Sequence, residues 1–314
     1  PTAAWRVAHE ALTRGPVLVQ VPRRGYLPGV SCLRCGEVAR CSICQGPLAV
    51  PGERQSPVCN WCGNVNGSWH CVSCGGEQLR SQVVGAKRTA EELGKAFPGV
   101  PVITSGGRAV RSKVASTPAL VVATPGAEPL APDGYAAALL LDAWALLGRV
   151  DLRATEEALR RWMAAAALVK SAPDAGQVVV VADASITAVQ ALVRWDPTRF
   201  ADAELADRRL VSLPPAVRVA VLQGAADDVA DLLARVVLPA GTEQLGPVGV
   251  RPTSTAKAPN VGDADQVRVV LRSERREGGD ANALAAALAT AQGERSVRKD
   301  TGWVTIRIDP VGWG

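Results

Sequence analysis

Blocks of apolar and polar residues change period repeatedly along this chain, and each change marks an element. Residues 3–13 are apolar at helical spacing, with Trp5, Val7, Ala8 and Leu12 available for one buried stripe, and Gly15-Pro16 ends the helix. Residues 17–21 form a short β-branched run, the pattern of a buried strand, and Pro22-Arg23-Arg24-Gly25-Tyr26 leads away as a loop. After Gly76 the alternation becomes regular. Val83-Val84 predicts a short strand, and a helix runs from Gly85-Ala86-Lys87 to Phe97, stopped by Pro98-Gly99. Strands follow over 100–104, 120–123 and 137–141, then a long helix over 152–168 and a strand over 177–182. A helix over 186–195 closes at Asp196-Pro197. Strands alternating with helices predict an α/β domain whose parallel sheet is covered on both faces.

A second region begins near residue 199. It predicts a helix over 202–210, a stop at Pro214-Pro215, a strand over 217–222 and a helix over 227–236. A strand with alternating charges over 266–272, a helix over 281–291 and a strand over 304–308 complete a small α+β domain. The run 249–263, rich in Pro, Thr, Ser and Ala, predicts a mobile loop. The domains are therefore 1–30 with 77–198, an insertion over 31–76, and 199–314.

The insertion holds all eight cysteines, as Cys-x-x-Cys pairs: Cys32/Cys35, Cys41/Cys44, Cys59/Cys62 and Cys71/Cys74. Each pair is a zinc knuckle, a short turn aiming two thiolates at one point, and two knuckles complete a tetrahedral four-sulfur site. Gly36, Gly63 and Gly75 follow the second cysteine of a pair, where the turn favours a residue that tolerates positive φ. Disulfide frameworks belong to small secreted chains, and a redox site needs one pair, so the four pairs predict two zinc ions. The loop from Cys44 to Cys59 suits a zinc ribbon and favours joining the inner pairs, with the outer pairs around the other ion. Sequential pairing satisfies the spacing as well. His70 adjoins Cys71 but finds no ligand vacancy, and His9 is expected on a helix surface.

Composition changes this picture little. A net charge of +5 and a pI near 8.9 accommodate an acidic partner such as nucleic acid, and equally an ordinary, slightly basic cytosolic protein. Residues 136–147, the most apolar stretch, are too few to span a membrane and include Asp142. Without a signal peptide or a membrane span, and with thiols predicted to bind zinc, the expected location is the cytoplasm, with no membrane partner. The chain opens on Pro1 rather than methionine, which leaves room for a partner lobe upstream.

Some chemistries are missing. No G-x-x-x-x-G-K-S/T phosphate loop occurs, and Gly106-Gly107-Arg108 reads as a turn. Two histidines and metal-bound thiols offer no nucleophilic triad. Asp142, at the carboxyl end of a strand, stands where α/β proteins place site residues, although strand ends also need polar residues.

With the cysteines placed, their flanks complete a resemblance to the primosomal protein N′ family, the replication-restart helicases PriA. Arg23-Arg24-Gly25-Tyr26 is similar to that family's N-R-R-G-Y, and residues 85–93 (G-A-K-R-T-A-E-E-L) to its G-T-E-R-x-E-E-E-L. Leu141-Asp142-Ala143-Trp144 and Asp151-Leu152-Arg153-Ala154 resemble L-D-A-D and D-F-R-A. Leu205-Ala206-Asp207-Arg208-Arg209 with Leu213-Pro214-Pro215 is similar to E-R-R-x-x-x-Y-P-P, and Ile306-Arg307-Ile308-Asp309-Pro310 to V-D-V-D-P. The resemblance runs from about residue 3 to the end. It implies a helicase-type second lobe, an inserted two-zinc module and a small C-terminal domain. In the family the outer pairs hold one ion, here Cys32, Cys35, Cys71 and Cys74, and the inner pairs the other, here Cys41, Cys44, Cys59 and Cys62.

The departures from the family concern its motor. Its G-T-Q-M-x-x-K-G-x-D-F meets Ala123-Thr124-Pro125-Gly126-Ala127-Glu128-Pro129, without the lysine or second glycine. Its Q-V-A-G-R-A-G-R aligns with residues 164–171, so both arginines become Leu168 and Ser171. Lys170 lies nearby but lacks a bidentate fork. Trp144 replaces the second aspartate of L-D-A-D, and Lys87 the glutamate of G-T-E. This implies a DNA-binding restart protein, similar to the actinobacterial PriA-like forms, that recognises forked or single-stranded DNA and lacks helicase and ATPase activity. Implied partners are single-stranded-DNA-binding protein and primosome components. Arg23, Arg24, Arg272, Arg275 and Arg276 are candidate phosphate contacts, each equally at home on a solvated face. Two other readings stay open: an active ATP-dependent helicase whose first lobe lies outside the chain, and a zinc-ribbon protein-interaction module.

Overall fold

A computed structural model describes residues 2–22, 30–35, 37–43, 46–50, 55–59, 64–81, 86–149, 151–250, 266–275, 282–300 and 302–311. They fall into two compact units, 1–200 and 201–314. The first unit opens with α1 (Thr2–Ala11) and β1 (Val17–Gln20). Four short strands follow in the cysteine region: β2 (Val30–Cys32), β3 (Leu48–Ala49), β4 (Val58–Cys59) and β5 (Leu79–Ser81). Then come α2 (Ala86–Ala96), β6 (Val102–Ser105), β7 (Leu120–Ala123), β8 (Ala137–Leu140), α3 (Ala143–Leu147), α4 (Ala154–Ala166), β9 (Gln177–Val180) and α5 (Thr187–Arg194). α6 (Pro197–Leu210) carries the chain into the second unit.

β6, β7, β1, β8 and β9 form a five-stranded sheet in that order, every neighbouring pair parallel. Because successive side chains point to opposite faces, the apolar strands feed two cores. Leu18, Val121, Ala138 and Leu140 pack with α3, α4 and α5 around the fully buried Trp162 and Tyr135. Val17, Val19, Leu120, Val122 and Leu139 pack with α1 and the α2 side, including Phe97. The α/β expectation therefore holds for this sheet.

Several details differ from expectation. The buried stripe of α1 is Ala4, Ala8, Ala11 and Leu12; Trp5 is 49% exposed and stacks on His9 and Phe97. Small alanines let the helix approach the sheet closely, and the bulky indole stays at the rim. The long helix is shorter than its apolar pattern suggested, and α3 lies between it and β8, where the sequence reading assigned no element. Val83-Val84 and most of the run 249–263 lie outside the described residues. Gly106 and Ala109 exchange backbone hydrogen bonds around Gly107, whose φ is +59°, so this glycine pair is a turn.

In the second unit β10 (Val217–Ala225), α7 (Ala226–Arg235), β11 (Thr242–Gly249), β12 (Gln266–Glu274), α8 (Ala283–Val297) and β13 (Val304–Ile308) follow one another. The sheet order is β11-β12-β10-β13, all antiparallel, the split β-α-β-β-α-β arrangement. Ala220, Leu222, Val269 and Leu271 face Val229 and Leu232 of α7 and Leu284 and Leu288 of α8. Arg295, 3% exposed, ties α8 to α7 through Asp231 (2.7 Å) and the Asp228 carbonyl (3.0 Å). β11 escaped the sequence reading because it is an exposed edge strand with Pro247 and a register shift, and it carries no alternation.

Candidate metal centre

All four Cys-x-x-Cys turns share one frame. The backbone N–H of the first cysteine donates to the carbonyl five residues on: Cys32 to Glu37, Cys41 to Gly46 and Cys59 to Asn64 at 2.8 Å, Cys71 to Gly76 at 2.9 Å. Three of the frames are flanked by a β-bridge: Ser31 with Val38, Arg40 with Pro47, Val58 with Val65. Gly75 has φ +70°, the left-handed conformation expected after a second cysteine.

The antiparallel pair β2–β5, in register from Val30–Ser81 to Cys32–Leu79, draws the outer knuckles together. The sulfurs of Cys32, Cys35, Cys71 and Cys74 all lie within 4.8 Å of one another. Cys32 and Cys74 are 3.5 Å apart, as are Cys35 and Cys71. A tetrahedral zinc with bonds of about 2.3 Å sets sulfur–sulfur edges of about 3.8 Å, whereas a disulfide needs about 2.05 Å. These four thiols therefore match a closed, all-sulfur structural site in geometry and donor chemistry. Their protons are shared unequally. The Cys35 N–H, opposed by burial and helped by the Arg34 N–H and the Cys74 and Cys35 thiols, lowers the Cys32 thiol to about 6. At Cys35 the Glu37 N–H favours the thiolate, but the Cys71 thiol, burial and the Cys74 and Cys32 thiols push it up to about 12.

The inner knuckles are joined by β3–β4, with Leu48 opposite Cys59. Cys41 and Cys59 are buried, whereas Cys44 and Cys62 lie outside the described residues. Among the described residues the outer four are the cysteine cluster that could hold a metal. His70 is exposed, with Nδ1 3.4 Å from the Ser68 carbonyl, and His9 is exposed beside Trp5.

Of the candidate phosphate contacts, Arg23, Arg24 and Arg276 lie outside the described residues. Arg272 donates to Glu243 (Nε, 2.9 Å) and to the Ser212 carbonyl (3.2 Å), and Arg275 lies 3.8 Å from Asp309. Sequence reasoning passed over Arg268 and Arg307. Both project from the sheet face opposite α7 and α8, and the Nε of each lacks a hydrogen-bond partner among the described residues. Exposed Thr305 shares that face and accepts from Nε1 of Trp303, which is 79% exposed. The alternation in V-T-I-R-I was the available signal.

The carboxyl edge of the parallel sheet carries a second polar group. Buried Gln20 donates to Glu128 Oε1 (2.6 Å), and Glu128 Oε2 accepts from the Gly126 N–H (2.8 Å). The Arg161 guanidinium, paired with Glu157 at 2.6 Å, lies against Gly126, where a Cβ would overlap it. Asp142 precedes α3 in a left-handed conformation (φ 52°). Burial pushes its carboxyl up, opposed by a Trp144 side-chain hydrogen bond and reinforced by Glu92. After α4, Leu168 packs against the core, Ser171 donates to Asp174, and Lys170 Nζ donates to the Arg14 carbonyl at 3.3 Å.

The C-terminal unit falls into a known class: residues 209–311 match the family model described as the primosomal protein N C-terminal domain. Over its full length the chain is homologous to the mycobacterial replication restart protein PriA. It is 51% identical over 317 residues to the probable replication restart protein PriA of Mycobacterium leprae, covering 100% of this chain and 48% of that protein. To the probable replication restart protein PriA of Mycobacterium tuberculosis it is 50% identical over 323 residues, covering 100% of this chain and 49% of that protein. A shorter match, 35% over 91 residues, covers 28% of this chain and 12% of the replication restart protein PriA of Thermotoga maritima. The chain thus spans about half the length of its mycobacterial relatives. Among the described residues no helix is long and apolar enough to cross a membrane.

Proposed function

We propose that this chain is the DNA-binding and assembly half of a replication-restart protein without helicase or ATPase activity. The observation that carries this reading is the turn after α4. Leu168, partly buried, packs against the core, Ser171 is engaged by Asp174 and Lys170 by a backbone carbonyl, so none offers a planar cation to a phosphate. An arginine finger contributes about a thousandfold or more to phosphoryl transfer, and Leu168, Lys170 and Ser171 do not supply its bidentate fork. On this reading the parallel sheet is a helicase second lobe retained as scaffold.

The module holds two zinc ions, one on Cys32, Cys35, Cys71 and Cys74 and one on Cys41, Cys44, Cys59 and Cys62. Zinc in such closed sites supplies cross-linking, and the module serves as a rigid surface for partner proteins. Forked or single-stranded DNA, single-stranded-DNA-binding protein and primosome components are the partners, in the cytoplasm, where thiols stay reduced. Arg23 and Arg24 contact DNA phosphates, and so do Arg268 and Arg307, with Trp303 beside them as a stacking platform. Arg272 and Arg275 keep intramolecular carboxylate partners and rank below these.

The test uses the full-length protein with its zinc. No DNA-stimulated ATP hydrolysis and no strand separation are expected, while binding to forked DNA weakens steeply with salt as phosphate contacts release counterions. DNA-dependent turnover abolished by changing an upstream phosphate-loop lysine would instead establish an active helicase. A flat salt response would favour a protein-only zinc module.

A further inference from the structure

The outer and inner knuckle pairs share a frame but are stitched together differently. In the outer pair the residue after the first cysteine, Leu33, donates its N–H to the backbone carbonyl of Gln78 (2.8 Å), extending the β2–β5 ladder. At the matching place in the inner pair Ser42 donates its N–H to a side chain, Oδ1 of Asn66 (3.3 Å). Gln78 and Asn66 each stand seven residues after the first cysteine of the partner knuckle, Cys71 and Cys59. A side-chain amide does in one pair what a strand does in the other.

Asn66 is 7% exposed, and its amide is fully used. Nδ2 donates to Cys41 Sγ (3.8 Å) and to the Asn64 carbonyl (3.0 Å), while Oδ1 also accepts from the Ser42 hydroxyl (3.2 Å). Its backbone N–H donates to the Pro57 carbonyl (2.7 Å), which anchors it in the Cys59 knuckle. Cys41 Sγ also receives the Ile43 N–H at 3.4 Å. The Asn66 amide and the Ile43 N–H together fix the side chain of Cys41.

We propose that Asn66 is the positioning residue of an inner metal site, acting through Cys41 and holding its two knuckles in register. This rests on the assignment of a zinc ion to Cys41, Cys44, Cys59 and Cys62. Donors that support a ligand in this way typically change metal affinity by about 10- to 100-fold when removed.

Zinc content and zinc release to a chelator, measured on the full chain, test the proposal. The unmodified protein should carry two ions and release them in two phases. Asn66→Ala should speed one phase by about 10- to 100-fold and leave the other in place. Asn66→Asp keeps the shape but replaces the donor with a carboxylate beside sulfur, so it should be at least as fast. This variant decides the matter where truncation loosens the fold. In cobalt-substituted protein both variants should shift the thiolate-to-cobalt charge-transfer band, which a residue that only fills space would leave unmoved. One zinc per unmodified chain would overturn the two-ion assignment. Two zinc ions with release and spectrum unchanged in both variants, or with both phases accelerated equally, would overturn the role of Asn66.

Discussion

The parallel sheet and the cysteine module belong to one compact unit, yet different forces hold them. Leu18, Leu120, Leu140, Tyr135 and Trp162 are fully buried in and beside the sheet. The module buries Val30, Ala39, Cys41, Leu48 and Cys59, while its Leu33, Ile43, Val65 and Val72 are 51%, 70%, 58% and 93% exposed. Apolar burial stabilises by about 25 cal/mol per Å², so the sheet can stand on packing. Among the described residues so small a cluster cannot by itself offset the ordering entropy of the module, and the four-cysteine cluster that could hold a metal offers bonds to make up the difference. One region is specified by volume and the other by donor geometry.

Attacking the donors should give the largest effect. Cys71→Ser removes one corner of the outer cluster, and structural zinc sites of this kind typically contribute an apparent free energy of about 10–16 kcal/mol. Zinc content should fall by one ion, and proteolysis should begin within residues 30–81 while the sheet's unfolding transition persists. Simultaneous loss of that transition would show the two regions to be one cooperative block. The converse change is Trp162→Ala, which opens a cavity in the sheet core and should cost about 3–5 kcal/mol in denaturant unfolding, with zinc content unaltered. Smaller again is Gly126→Ala. Gly126 has φ +86° and the Arg161 guanidinium against it, so the cost should be about 1–3 kcal/mol, with DNA affinity unchanged.

The smallest effect is a pH dependence confined to α4. The Arg160 hydrogen bond, with Arg161, outweighs burial and holds the Glu157 carboxyl at about 2. A lowered folded value means that the contribution is present above the ordinary carboxylate range, about 4.3, and fades as pH falls toward 2. Glu157→Gln should remove that contribution, lowering stability modestly at neutral pH and flattening the acid dependence, so that the two proteins converge as pH approaches 2.

The sheet strands were legible because each carries a short apolar run, unbroken in Leu120–Ala123 and Ala137–Leu140. The knuckles were legible because spacing alone dictates the turn. Period cannot reveal a residue whose work is polar and nonlocal. Asn66 joins Cys41 across the module, and Gln20 meets Glu128 far along the chain. Trp5 misled in the opposite sense, since hydrophobicity does not distinguish a core position from a rim that only a large ring can cover.

Val30 and Ser81 are register partners at the neck of the module. In an antiparallel pair such residues lie about 5 Å apart, the span of a tight hairpin turn. Everything between them is thus topologically a detour: the chain leaves and returns at nearly the same point. Excising residues 31–80 and joining the ends by a short turn would leave β1, α2 and the order of the sheet unaltered. The module can therefore be lost, exchanged or regrafted at little cost to its host, while the sheet stays as it was.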